Sequence, residues 1–170
     1  MLRPPPPLPP IPGVSDAVAL FSFEGSARRL VTRWKYSNHR DGVPALANAV
    51  ALTVPVPPEF VTWVPTTPGR RRARGFDQGE QLARGVGRRL ERPTVALLQR
   101  DSSASQTGSD RAHRRGVEMS IRKRSPWLAG ATVLLVDDVC TTGSSLTAAV
   151  RALHRGGAGA VIVRVLAATP

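Results

Sequence analysis

Apolar and polar positions along the chain follow two periods, arranged in alternating blocks. Leu146, Ala149, Val150 and Leu153 are spaced i, i+3, i+4, i+7, which predicts an amphipathic helix that stops at Gly156 and Gly157. Ala27, Leu30, Val31 and Trp34 repeat that spacing behind Ser26. Val43, Leu46, Ala47 and Val50 do so again, with Asp41 as candidate N-cap and Pro44 tolerated in the first turn. Asp77 and Glu80 form a D-x-x-E capping pattern for a helix reaching about Leu90. Between these blocks lie short apolar runs. Residues 17–23 read as a short strand, and 60–64, 94–98, 133–136 and 160–166 as core strands. Arg164 interrupts the last of them and is expected near its edge or facing out. Residues 100–109 read as loop and 110–117 as a short basic helix.

From residue 60 onward strands alternate with helical patterns, which predicts an α/β fold with a parallel sheet, flanking helices and right-handed crossovers. Three segments follow: a proline-dominated tail over 1–14, extended and poorly ordered; a small N-terminal extension of strand and helices over 15–58; and the core over 59–170. Ligands of such sheets bind at the carboxyl ends of the strands. Two loops leave such ends and can face one crevice. One is the basic stretch after Val64, which carries Thr66, Thr67, Arg70, Arg71, Arg72 and Arg74 between glycines and is expected to be mobile. The other follows Val136.

That second loop carries the clearest chemistry. An apolar strand runs into Asp137 and Asp138, one apolar residue follows, and then come Cys140, Thr141, Thr142, Gly143, Ser144 and Ser145 before the helix. A loop that opens a helix presents free N–H groups with the positive end of the helix dipole behind them, a site suited to phosphate. Gly143 lets the backbone approach the anion, and the hydroxyls add donors. The two carboxylates would repel a phosphate in contact. A few ångströms away they can accept from sugar hydroxyls or hold a divalent cation. A ribose 5-phosphate presents both features. A Walker B strand also ends in acidic residues, but the chain has no GxxxxGK[ST] loop to go with it.

Composition narrows the class. Of 170 residues, 41% are hydrophobic and 5% aromatic, which suits a Val, Leu and Ala core. The formal net charge of +12 comes mostly from arginine. It permits small polyphosphates or a nucleic acid backbone as partners, and it also fits a plain compositional bias. One cysteine, Cys140, excludes an internal disulfide and a four-cysteine zinc site, and its place before a helix is expected to lower its pKa somewhat. His39, His113 and His154 show no metal spacing, and His154 reads as surface in a last helical turn. The first residues have no apolar core of a signal peptide, and no run is long enough to span a membrane, so a cytoplasmic protein is expected.

The stretch 132–149 resembles the phosphoribosyl-pyrophosphate signature of type I phosphoribosyltransferases. VPTTPGRRRARGFDQGEQLA is similar to the ComF family's RGFNQ region, Trp34-Lys35-Tyr36 to its LKY segment, and Arg100, Gln106 and RAHRRGV to its R…Q…R(R)NV region. The likeness covers roughly residues 17–166. It departs at Asp77 and Gly116, where Asn is usual, and it has no counterpart of the Cys-rich finger that often begins ComF proteins. The resemblance implies a type I phosphoribosyltransferase-like fold in which Asp137 and Asp138 hold the ribose 2- and 3-hydroxyls and residues 140–145 wrap the 5-phosphate. It implies a phosphoribosyl pyrophosphate ligand whose pyrophosphate and ribose hydroxyls carry Mg²⁺, with no metal held by the protein alone. Arg74, in the RGF motif, is the candidate to close over pyrophosphate, with Thr66 and Thr67 as backbone contacts. Arg70, Arg71 and Arg72 read equally as a solvated charge run, and Thr66 and Thr67 as plain loop. The resemblance also implies a role in natural competence and DNA uptake, beside single-stranded DNA or a helicase-like partner. The acceptor, turnover and oligomeric state are left open.

Overall fold

The computed structural model describes residues 4–36, 42–101, 117–122 and 126–170, apart from the side chains of Lys35, Tyr36 and Arg74. Four parallel strands form the central sheet: β1 (Asp16–Ser22), β2 (Phe60–Trp63), β5 (Thr132–Cys140) and β6 (Ala160–Ala168), in the spatial order β1-β6-β5-β2. A second, two-stranded antiparallel sheet pairs β3 (Leu98–Arg100) with β4 (Met119–Ile121). The helices are α1 (Gly25–Tyr36), α2 (Val43–Ala51), α3 (Pro68–Arg74), α4 (Gln78–Leu90) and α5 (Ser144–Arg155).

Both faces of the sheet are covered, which is why its central strands are continuously apolar. Val133 and Leu135 of β5, with Val161, Val163 and Val165 of β6, pack under Leu146, Ala149, Val150 and Leu153, the predicted stripe of α5. The alternate residues Leu134, Val136, Ile162 and Leu166 pack under α2 and α4 through Leu46, Val50, Leu82 and Val86.

The expected α/β parallel sheet is present, and several local expectations change. The strand read at 17–23 is a full member of the sheet: β1 pairs along its length with β6, from Asp16 beside Ile162 to Ser22 beside Ala168. That makes β6 interior, so Arg164 does not face out. It is 1% exposed. Its guanidinium donates to the carbonyl of Val163 at 2.8 Å, to Thr53 Oγ1 at 3.0 Å and to the Thr53 carbonyl, and it pairs with Asp16. The strand read at 94–98 is reduced to one parallel bridge, Thr94 beside Val61, and regular pairing begins only at Leu98. The basic loop contains a helix, α3: the Thr67 hydroxyl accepts from the Arg70 amide, Pro68 opens the first turn, and Gly75 ends it with φ of 76°. Gly42 caps α2. Asp41, the candidate cap, lies outside the described residues, as do His39, Gln106, His113 and all but the last residue of the basic helix expected over 110–117.

The proline-rich segment is laid against the molecule from Leu8 onward. Ile11 is buried, and Leu8 and Val14 pack on the α5 side of the core. Prolines carry no N–H, so such a stretch can cover apolar surface without stranding donors.

Candidate functional site

Strand register builds the site. Trp63 of β2 sits beside Val136 of β5, and the Val64 amide donates to the Val136 carbonyl at 3.1 Å. Chain leaving β2 therefore emerges next to Asp137. The strand β5 does not stop at the acidic pair. It continues to Cys140 because β6 runs alongside as far as Ala168, so Asp137 and Asp138 lie within the carboxyl end of a strand. Both carboxylates are half-buried. Asp137 Oδ1 accepts from the Asp138 amide and Asp138 Oδ1 from the Val139 amide, each at 2.8 Å.

Gly143, with φ of 75°, then turns the chain into α5, and the Thr147 amide closes on the Gly143 carbonyl at 2.8 Å. The Thr142 and Ser144 hydroxyls bond at 2.8 Å, which brings hydroxyl groups together ahead of the helix. The first N–H groups of a helix have no partner within it, so an anion in front of this turn meets donors and the positive end of the dipole.

These elements enclose one cavity of about 360 Å³. Its walls include Asp137, Asp138 and all of 140–145 on one side, and Pro65, Thr66, Arg70, Asp77 and Arg100 on the other. Thr67 caps α3 beside it. Residue Arg74 ends α3, and its side chain lies outside the described residues. Arg71 of the same run pairs with Glu80 at 3.8 Å, so only Arg70 of the described arginines of α3 reaches the cavity wall.

Arg100 is the residue that sequence reading named without placing it in the site. It ends β3 and spans the cavity: Nε donates to the Pro65 carbonyl at 2.7 Å and Nη2 to Ser145 Oγ at 3.1 Å. Burial lowers its pKa, Asp137 and Asp77 pull the other way, and Arg70 adds repulsion. A partly desolvated guanidinium between the two loops suits a phosphate oxygen. Its basic character was visible in the sequence. Its position depends on β3 meeting the ends of β2 and α5, which no local pattern reports.

Asp77 holds the opposite wall. It is 5% exposed, accepts from the Thr66 amide at 2.9 Å, and caps α4 by accepting from the Glu80 amide at 3.3 Å, as the D-x-x-E pattern predicts. Burial raises its pKa, with the amides of Thr66, Glu80 and Gly79 opposing. The Thr66 amide is thus engaged within the protein. Cys140 differs from expectation. It is a strand residue with a buried side chain, its carbonyl accepts from the Thr169 amide at 2.9 Å, and its thiol pKa is raised by burial and by Asp137, outweighing the amide of Gly143. His154 is not a plain surface residue either: its ring bridges the Gly13 carbonyl at 2.7 Å and the Ala158 carbonyl at 3.0 Å.

The chain has relatives among known proteins. The phosphoribosyl transferase domain matches residues 77–170. The chain is 29% identical over 100 residues to the competence protein ComFC of Streptococcus pneumoniae, covering 59% of this chain and 43% of that protein. It is 29% identical over 181 residues to the DNA utilization protein YhgH of Salmonella typhi, covering 99% and 76%. With the YhgH of Escherichia coli the identity is 32% over 115 residues, covering 66% and 50%. Among solved structures, the glutamine phosphoribosylpyrophosphate amidotransferase of B. subtilis, complexed with ADP and GMP, superposes with a TM-score of 0.56 at 19% identity, covering 79% of this chain and 30% of that one. The latter shows a shared fold.

Proposed function

Since the chain belongs to the phosphoribosyl transferase domain family, we propose that its cavity binds 5-phosphoribosyl 1-pyrophosphate and that the protein serves DNA uptake or utilization, as the names of its relatives suggest. The observation that carries this reading is the convergence of an acidic pair, a hydroxyl-rich helix-opening loop and Arg100 on one cavity at the carboxyl end of the sheet. The loop 141–145 takes the 5-phosphate, Asp137 and Asp138 accept from the ribose hydroxyls, and Arg100 with Arg70 faces the pyrophosphate. No three His, Cys, Asp or Glu side chains among the described residues form a metal-holding group. A Mg²⁺ here would take its oxygens mainly from the ligand, with at most the acidic pair from the protein. When bound, Mg²⁺ would neutralise charge on the pyrophosphate.

Transfer to an acceptor would break the C1–oxygen bond, form a bond from C1 to the acceptor, and release pyrophosphate. The arginines would stabilise the charge that grows on the leaving group, while the half-buried carboxylates face the sugar as it gains positive character. The experiment is a calorimetric and thermal-shift titration with phosphoribosyl pyrophosphate, with and without Mg²⁺. Ligand at 100 times its Kd adds about 2.7 kcal/mol to stability. We expect a Mg²⁺-dependent shift that disappears in Asp137→Asn/Asp138→Asn; an equal shift in that variant would refute the site.

A second reading follows from the net charge of +12 and the relatives' names: an accessory protein that contacts single-stranded DNA or a helicase-like partner and uses the ligand, if at all, as a signal. Absence of ligand binding together with DNA affinity that falls steeply with salt would favour it.

A further inference from the structure

The proline-rich segment and the phosphate-facing loop touch. A Cβ built on Gly143 would lie 2.7 Å from Pro9 Cγ, so the proline ring rests directly on the glycine of the loop. Pro9 is not among the residues that line the cavity.

The segment is tied down at several points along α5. Leu8 and Ile11 pack into the core on that face. Gly13 is seated on Val150 and His154, to which a Cβ at 13 would come within 3.5 and 3.2 Å. The Gly13 carbonyl is held by His154 Nε2 at 2.7 Å, and Ser15 then enters the sheet edge through its amide to the Val161 carbonyl at 2.8 Å. The lengths agree. The four residues from Pro9 to Gly13, which end in a turn at Pro12 and Gly13, span at most about 12 Å. The seven to eleven residues of α5 from Gly143 to Val150 and His154 rise about 10–16 Å. A stiff segment anchored at the far end of the helix therefore delivers Pro9 to the near end.

We propose that residues 8–13 are a positioning element of the ligand site: the segment, anchored by His154, holds the 141–145 loop in the left-handed turn at Gly143 that presents its hydroxyls and amides to the anion. The contact is a property of the fold. Its effect on affinity rests on the phosphoribosyl pyrophosphate reading above.

Pro9→Ala removes the ring from the loop, and His154→Ala releases the anchor about 15 Å from the anion site. Neither residue lines the cavity. Hydrogen exchange of the ligand-free protein is read first, because it needs no ligand. In both variants the Thr147 amide, which closes on the Gly143 carbonyl, should exchange roughly threefold faster or more, while the amides of β2 and β5 keep their rates and report an intact fold. Ribose 5-phosphate, titrated by calorimetry, should bind more weakly by a similar factor, and the two substitutions together should cost little more than either alone. Unchanged loop exchange in folded Pro9→Ala overturns the proposal. So does tighter ribose 5-phosphate binding in the variants, which would make the segment an obstruction. If the wild-type chain binds no ribose 5-phosphate, the functional reading fails while the exchange experiment still decides this one.

Discussion

Arg164 allows a quantitative test of how the sheet is held. Its side chain is 1% exposed, and it serves Thr53 through both the carbonyl and the hydroxyl, the Val163 carbonyl, and Asp16. Arg164→Met keeps much of the volume and removes every donor. Hydrogen bonds from a charged donor contribute about 1.5–3 kcal/mol each, and breaking a buried ion pair from one side costs about 3–5 kcal/mol. Asp16 is 42% exposed and can rehydrate, so its share falls toward that of a surface pair, under about 1 kcal/mol. The remaining loss is the stranded acceptors at Thr53 and Val163, which places the total near 3 kcal/mol. For a domain of this length that lowers Tm by about 6–12 °C. Urea unfolding at neutral pH should show the loss as a shift in midpoint at constant slope. Asp16→Asn tests the other partner: it keeps an acceptor but leaves a buried guanidinium without its counter-charge, so it should cost about 3 kcal/mol as well. A loss below about 1 kcal/mol for Arg164→Met would mean that the buried acceptors find other donors and that the reasoning is wrong.

Two further outcomes follow from the perturbed groups. Asp77 has a folded-state pKa above its ordinary 3.8, so as pH rises past that value the unfolded chain loses its proton first, and the stability Asp77 contributes is lost as pH climbs through the raised pKa. Asp77→Asn has no proton to lose; its stability relative to the wild type should improve from pH 3 toward pH 7, and a pH-independent difference in urea midpoints would contradict the assignment. The Cys140 thiol is buried and its pKa is raised, so iodoacetamide should label the native protein far more slowly than the urea-unfolded chain; matching rates would contradict the buried strand position.

What could be read in the sequence was local. The apolar run 133–136 with the stripe of α5 states a buried strand followed by an amphipathic helix, and the structure contains both. The acidic pair and the loop after it are contiguous, so their union needed no tertiary knowledge. The helix α3 was also legible, since Thr67, Pro68 and Gly75 are start and stop signals, but a run of arginines between glycines looks like loop. Other features were not local. Parallel pairing joins strands far apart in sequence, so nothing near 16–22 states that β1 flanks β6, and without that the burial of Arg164 cannot be seen. Arg100 enters the site because β3 ends beside Pro65 and Ser145, residues 35 and 45 positions away. The proline-rich segment carries no helical or strand period, and its packing is decided by the α5 surface that receives it.

The pairing of β1 with β6 also sets a timetable. Asp16 and Arg164 are 148 residues apart, and in order of synthesis the partner of β1 is the last strand of the sheet to appear. A chain growing from its amino end must carry β1 with its hydrogen-bonding edge unmatched until β6 has emerged. Closure over so long a separation is entropically slow. During that interval α2 and α4 can meet and β2 can await β5, but the sheet lacks the strand that joins β1 to β5. Newly made protein should therefore be exposed to chaperones and proteases in proportion to translation time, and slowing synthesis between β1 and β6 should reduce soluble yield more than slowing it before β1.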